Sequence, residues 1–145
     1  MVMFQKILLA YNGSIHSAAA LKQAADLALL SKAELHILGI VVTSGAMAFA
    51  QAEGAIDLVE IERSRIQQAV ETAAAELSGQ GVNVAYSIRK GDPAEEIVSH
   101  AFRIKADLAV LGHTEKGVIA RWFQGSIGAQ LLSHLPCSLL IVTHK

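Results

Sequence analysis

The stretch of this chain with the most chemical content runs from Gly112 to Ile127. It reads Gly112-His113-Thr114-Glu115-Lys116-Gly117, continues from Val118 to Gln124, and closes with Gly125-Ser126-Ile127. A glycine at 125 lets backbone approach a phosphate closely. If a helix opens at Ser126, its first amides, that of Ile127 among them, are unpaired donors at the positive end of the helix dipole, and the serine adds a hydroxyl. Gly112 opens the loop, and His113 inside it is placed to touch a ribose or a phosphate. Glu115 is the discordant member. A carboxylate aimed at a triphosphate in a partly dry site would cost on the order of 1–4 kcal/mol, whereas one turned to solvent, to Lys116 or to Mg²⁺ would cost little. A second stretch, Asn12-Gly13-Ser14, offers an amide with an acceptor and two donors. A plainer assignment fits the same residues, in which Gly112 ends a strand and Ser126 caps a helix.

Other chemistries fail on spacing. A dinucleotide fingerprint needs three spaced glycines after the first strand, and only Gly13 is there; no Walker A sequence occurs. Gly125-Ser126-Ile127-Gly128 is not a nucleophile elbow, because Gln124 stands where that motif needs glycine. His113-Thr114-Glu115 with Pro136-Cys137 resembles half of a zinc deaminase signature, but Leu140 occupies the place of the second cysteine. His16, His36, His100, His134 and His144 form no ligand spacing and read as surface or packing residues. Cys137, before an apolar run, reads as a small buried hydrophobe, and Trp122 and Phe123 as an apolar anchor for the loop. No residue stands out as a dedicated catalytic base.

The elements that must position these residues alternate in apolar period. Continuous apolar runs closed by turn residues read as strands buried on both faces: 6–11, 35–42, 107–111 and 138–143, with 82–90 as a more alternating one. Between them lie helical stripes. One starts behind an N-cap at Ser14 and runs to Ser31. A long one runs from about Ile56 until Ser78-Gly79-Gln80-Gly81 ends it. A third follows Asp92 as N-cap and Pro93 as first helical residue, and another begins near Ser126. Thr43 to Gly54, rich in Gly and Ala, reads as weakly structured. This alternation implies an α/β fold with a doubly wound parallel sheet covered by helices on both faces, in which ligands bind beyond the carboxyl ends of the strands where the strand order reverses.

The bulk numbers set bounds on partners. A length of 145 residues suits one domain, 1–145, and a hydrophobic fraction of 52% against 17% charged supplies one well-buried core. The net charge is −1 and the Lys and Arg residues are scattered, which disfavours nucleic acid or an anionic membrane as a partner. No apolar run reaches the roughly 20 residues needed to span a bilayer. The N-terminus lacks the features of a signal peptide, and one cysteine suits a reducing compartment. The cytoplasm is the expected location.

Taken together, several segments resemble the universal stress protein family. They are Ile7-Leu8-Leu9-Ala10-Tyr11-Asn12-Gly13-Ser14, Gly91-Asp92-Pro93-Ala94-Glu95-Glu96-Ile97, Ala106-Asp107-Leu108-Ala109-Val110-Leu111-Gly112, and Gly125-Ser126 followed by His134-Leu135-Pro136-Cys137 and a terminal apolar strand. The resemblance implies a five-stranded parallel sheet in the order 3-2-1-4-5. It also implies a nucleotide-binding regulatory role in stress, with ATP, alone or with Mg²⁺, as ligand and at most slow hydrolysis. The family's ATP-binding branch carries a Gly, two residues, a second Gly, nine residues, then Gly-Ser or Gly-Thr. Gly112, Gly125 and Ser126 match with the correct nine-residue gap, Glu115 replaces the second glycine, and Asn12 replaces the usual acid after the first strand. The implied site is therefore Asn12, Gly112, His113, Glu115, Gly125, Ser126 and Ile127. The alternative is a family member without nucleotide that acts as a dimeric interaction module. A homodimer through Ser138 to Thr143 is expected in either case, because an apolar edge strand with no charge or proline invites pairing with its own copy.

Overall fold

A computed structural model describes residues 3–42, 58–113 and 132–143. Five strands, β1 (Lys6–Ala10), β2 (Glu34–Val41), β3 (Asn83–Lys90), β4 (Leu108–Gly112) and β5 (Ser138–Val142), form one parallel sheet in the order β3-β2-β1-β4-β5. The register sets Leu8 beside His36 of β2 on one side and Ala109 of β4 on the other. The central strands are shielded on both faces, which is why their apolar runs are continuous: Ile7, Leu8 and Leu9 are all buried, as are Leu108 to Leu111. The outer strands β3 and β5 are only half-buried along most of their length.

Residue parity decides which face each side chain joins. Ile7, Leu9, Leu35, Ile37 and Val110 pack with the alanine stripe of α1 (Ile15–Ser31) and with Ile66, Val70 and Leu77 of α2 (Leu58–Gly79). The alanines Ala20, Ala24 and Ala28 are almost fully buried, and their small side chains let α1 lie close to the sheet. Leu8, Leu38 and Leu111 point the other way, to Ile97, Val98 and Ala101 of α3 (Pro93–Ile104). Each fully buried leucine or isoleucine contributes about 1.5–3 kcal/mol. Cys137, read from the sequence as a buried small hydrophobe, packs against this second cluster but is only half-buried.

The helix starts follow the caps read in the sequence. The Ser14 side chain accepts from the Ser17 amide, and that of Asp92 accepts from the Glu95 amide with Pro93 in the first turn. Observed strand bounds shift by one residue in places: β2 begins at Glu34, β3 at Asn83 and β4 at Leu108, and α2 runs through to Gly79. The helix expected near Ser126 and the stretch from Thr43 to Gly54 lie outside the described residues.

Candidate functional site

Strand order reverses between β1 and β4, the position at which a doubly wound sheet binds ligands. Beyond β1 the chain turns through Tyr11, Asn12 and Gly13 into α1. Gly13 has φ +82°, a region that other residues rarely adopt. The Asn12 side chain then closes the turn. Its Oδ1 accepts from the Ser14 amide at 2.9 Å and from the Ser17 hydroxyl at 2.9 Å. Two donors converging on one atom identify it as the oxygen, and they leave Nδ2, with its two hydrogens, unengaged by this loop. Arg65 of α2 reaches the same loop from outside. Its Nη1 donates to the Asn12 carbonyl at 3.2 Å, while Glu62 holds the guanidinium through both carboxylate oxygens. That hydrogen-bonded guanidinium keeps the Glu62 carboxyl below its ordinary range.

Gly112, the last residue of β4, faces the first turn of α1. A Cβ added there would fall 2.5 Å from the His16 carbonyl oxygen and 2.8 Å from its carbon. The glycine therefore has a packing reason of its own: it lets the helix N-terminus approach the strand end. His113 follows. Its amide donates to the Val142 carbonyl at 2.9 Å, extending the β4–β5 ladder. Its Nδ1 is buried without a hydrogen-bond partner among the described residues, which is costly unless something else supplies one.

Beside the turn from β1 into α1 opens a cleft of about 150 Å³. One wall is apolar, formed by Leu38, Ile40 and Val42 from the end of β2 and by Pro93 and Ile97 from α3. The other is lined by Tyr11, Asn12, Ser14, His16, Ser17 and Gly112. Burial, then the negative charge of Glu76, raises the Tyr11 phenol above its ordinary value, so it remains a neutral donor. A site with one apolar wall and one hydrogen-bonding wall suits a flat, amphipathic small molecule.

Of the residues singled out in the sequence, Asn12 and Gly112 line this cleft and His113 adjoins it in the chain. Glu115, Gly125, Ser126 and Ile127, with Trp122 and Phe123, lie outside the described residues. Sequence reasoning missed the apolar wall, Tyr11, Ser17 and Arg65. The wall had a signal, since Leu38, Ile40 and Val42 alternate along one face of a strand that ends beside the switch point. Ser17 had one too, three residues after the cap. Arg65 had none, because it enters from a helix more than fifty residues along the chain.

The sequence profile of the universal stress protein family matches residues 3–143. A universal stress protein of Methanocaldococcus jannaschii is 30% identical over 141 residues, which cover 97% of this chain and 82% of that relative. Among solved structures, a protein of the same family from Burkholderia pseudomallei superposes with a TM-score of 0.74 at 26% identity, covering 98% of each chain. A universal stress protein solved in complex with cAMP superposes with a TM-score of 0.65 at 23% identity over 96% of each chain, a likeness of fold.

Proposed function

The chain belongs to the universal stress protein family, and from that premise we propose that it is a regulatory stress-response protein that binds a nucleotide in the cleft beyond β1 and β4. The observation that carries this reading is the two-sided cleft at the switch point, apolar along β2 and α3 and hydrogen-bonding along the β1–α1 loop. A base would lie against Leu38, Ile40 and Ile97. Asn12 Nδ2 and Nδ1 of His113, which has no hydrogen-bond partner among the described residues, would offer polar contacts to the sugar or phosphates. The amides of Gly125, Ser126 and Ile127 would receive the phosphates, which makes ATP, alone or with Mg²⁺, the preferred ligand. That a relative of this fold was solved with cAMP supports a nucleotide as the ligand class.

The same premise extends the proposal to a cytoplasmic protein that pairs with a second copy through Ser138 to Thr143. The described residues contain no helix long and apolar enough to cross a membrane. A second reading, an interaction module without nucleotide, is favoured by the two departures from the family pattern, Asn12 and Glu115. Chromatography of the small molecules released by acid from freshly purified protein separates the two. Nucleotide at close to one equivalent per chain is the expected result. Protein that releases none, and gives no heat when titrated with ATP and Mg²⁺, belongs to the second reading.

A further inference from the structure

His100 of α3 is 3% exposed, and among the described residues the other buried polar side chains, Ser17 and Ser31, belong to α1 on the opposite face of the sheet. His100 Nε2 lies 3.0 Å from Nε2 of His36 on β2, with the rings edge to face and their centroids 4.7 Å apart. His36 Nε2 is also 3.0 Å from the Ser87 hydroxyl on β3. One helix and two strands thus meet at a single nitrogen. A contact of this length between two imidazole nitrogens needs one shared proton, with one ring donating and the other accepting. With both rings charged, each Nε2 carries a proton and two like charges face each other at 3.0 Å, so the contact cannot survive.

The pair sits directly behind the cleft. Leu38 and Ile40 follow His36 on the same face of β2, and Ile97 and Pro93 precede His100 along the same side of α3. All four line the apolar wall. We propose that the His36–His100 contact is a pH-dependent clamp, which holds α3 against β2 while at least one of the two imidazoles is neutral and releases it when acidification protonates both, opening the apolar wall of the cleft. The proposal concerns the wall itself and holds whatever the cleft binds.

The surroundings favour release over accommodation of a buried charge. Lys6 of β1 disfavours a charge on His36, and Arg89 of β3 disfavours one on His100. Glu34 of β2 is already engaged with Lys6 at 3.7 Å, and Asp107, before β4, accepts from the Gln5 and Lys6 amides. On α3 itself Glu96 lies one turn before His100, against Gly91, and Arg103 lies exposed in the last turn. Burial is the first cause that pushes His100 down to about 4 from an ordinary 6.5, followed by His36 and Arg89; burial and then Lys6 lower His36 as well. Because the closed form has the depressed value, the open form binds protons more readily between about 6.5 and 4. The closed form is fully favoured above that window and loses its advantage as pH falls through it.

Hydrogen exchange of the ligand-free protein, corrected for intrinsic rates, tests the clamp. Between pH 7 and pH 5, protection of residues 93–104 is expected to fall roughly 10-fold more than that of α1 and α2. In His100→Gln, which cannot titrate, this extra loss should disappear. Equal losses in all three helices, or an extra loss undiminished in the variant, would overturn the proposal. Should the variant not fold, the imidazole Cε1 resonances of the wild type decide. Titration of His36 and His100 together at clearly acid pH supports the clamp, and titration near 6.5 contradicts it.

Discussion

Asn12 commits half of its side chain before any ligand arrives. Its Oδ1 is held by the Ser14 amide and the Ser17 hydroxyl, so the loop needs the oxygen and leaves the NH₂ to the cleft. Asn12→Ala should therefore cost about 1–2 kcal/mol of stability, one or two net hydrogen bonds, while Asn12→Asp, which keeps the oxygen, should fall within about 0.5 kcal/mol of the wild type. Urea unfolding midpoints of the two variants check this, and equal losses would show that the oxygen is not structural. At Gly112 the argument is steric. The atom 2.5 Å from a new Cβ is a backbone oxygen in a capped helix turn, which cannot rotate away as a side-chain tip could. Gly112→Ala is expected to destabilise by about 1–3 kcal/mol, as overpacking does, and an unchanged melting temperature would refute the close approach. The sequence pointed to both residues, and to Gly112 as either the first glycine of a nucleotide loop or the end of a strand. Nothing in a single sequence distinguishes a glycine that admits a ligand from one that admits a helix.

At the scale of elements, the caps at Ser14 and Asp92 were legible because their chemistry is local, decided within three residues. The end of α2 was legible because glycine marks it, and that of α1 because its apolar stripe stops at Ser31. All three helices close with the same pair of bonds. After α2, Gly81 takes φ +94° and the Val82 amide returns to the Leu77 carbonyl. After α1 and α3 the left-handed position is held by Lys32 (φ +56°) and Lys105 (φ +58°), with Ala33 returning to Ala28 and Ala106 to Ala101. Lysine gives no sign of a stop, and it bears a steric cost that glycine would not. Lys32→Gly and Lys105→Gly should each stabilise the protein by up to about 1 kcal/mol, read as a rise in unfolding midpoint; a fall in both would mean that the lysine side chains contribute more than the backbone strain costs. The His36–His100 pair was illegible for a different reason. The two residues lie 64 positions apart and meet only once α3 has docked on β2, so each looks like an isolated polar residue on an apolar stripe.

For the whole molecule, the parallel sheet was readable from the continuous apolar runs, and its order came with the family resemblance. The order leaves β5 at an edge, where Leu139, Leu140 and Ile141 are half-buried. A second copy set against this strand by two-fold symmetry would cover it. Light scattering is expected to give the mass of two chains at micromolar concentration, and Ile141→Lys to give a monomer or insoluble protein; a wild type that stays monomeric would remove the proposed pairing. The proposed nucleotide site takes one half from the cleft of β1, β2 and α3, and its phosphate half rests on the spacing from Gly112 to Ser126. Calorimetric titration with ATP and Mg²⁺ joins the two halves in one measurement. The account predicts micromolar binding at one site per chain for the wild type, and no detectable heat for Gly125→Val, whose far-ultraviolet spectrum and unfolding midpoint should match the wild type. A wild type that binds no nucleotide, or a variant that binds as tightly as the wild type, would contradict it.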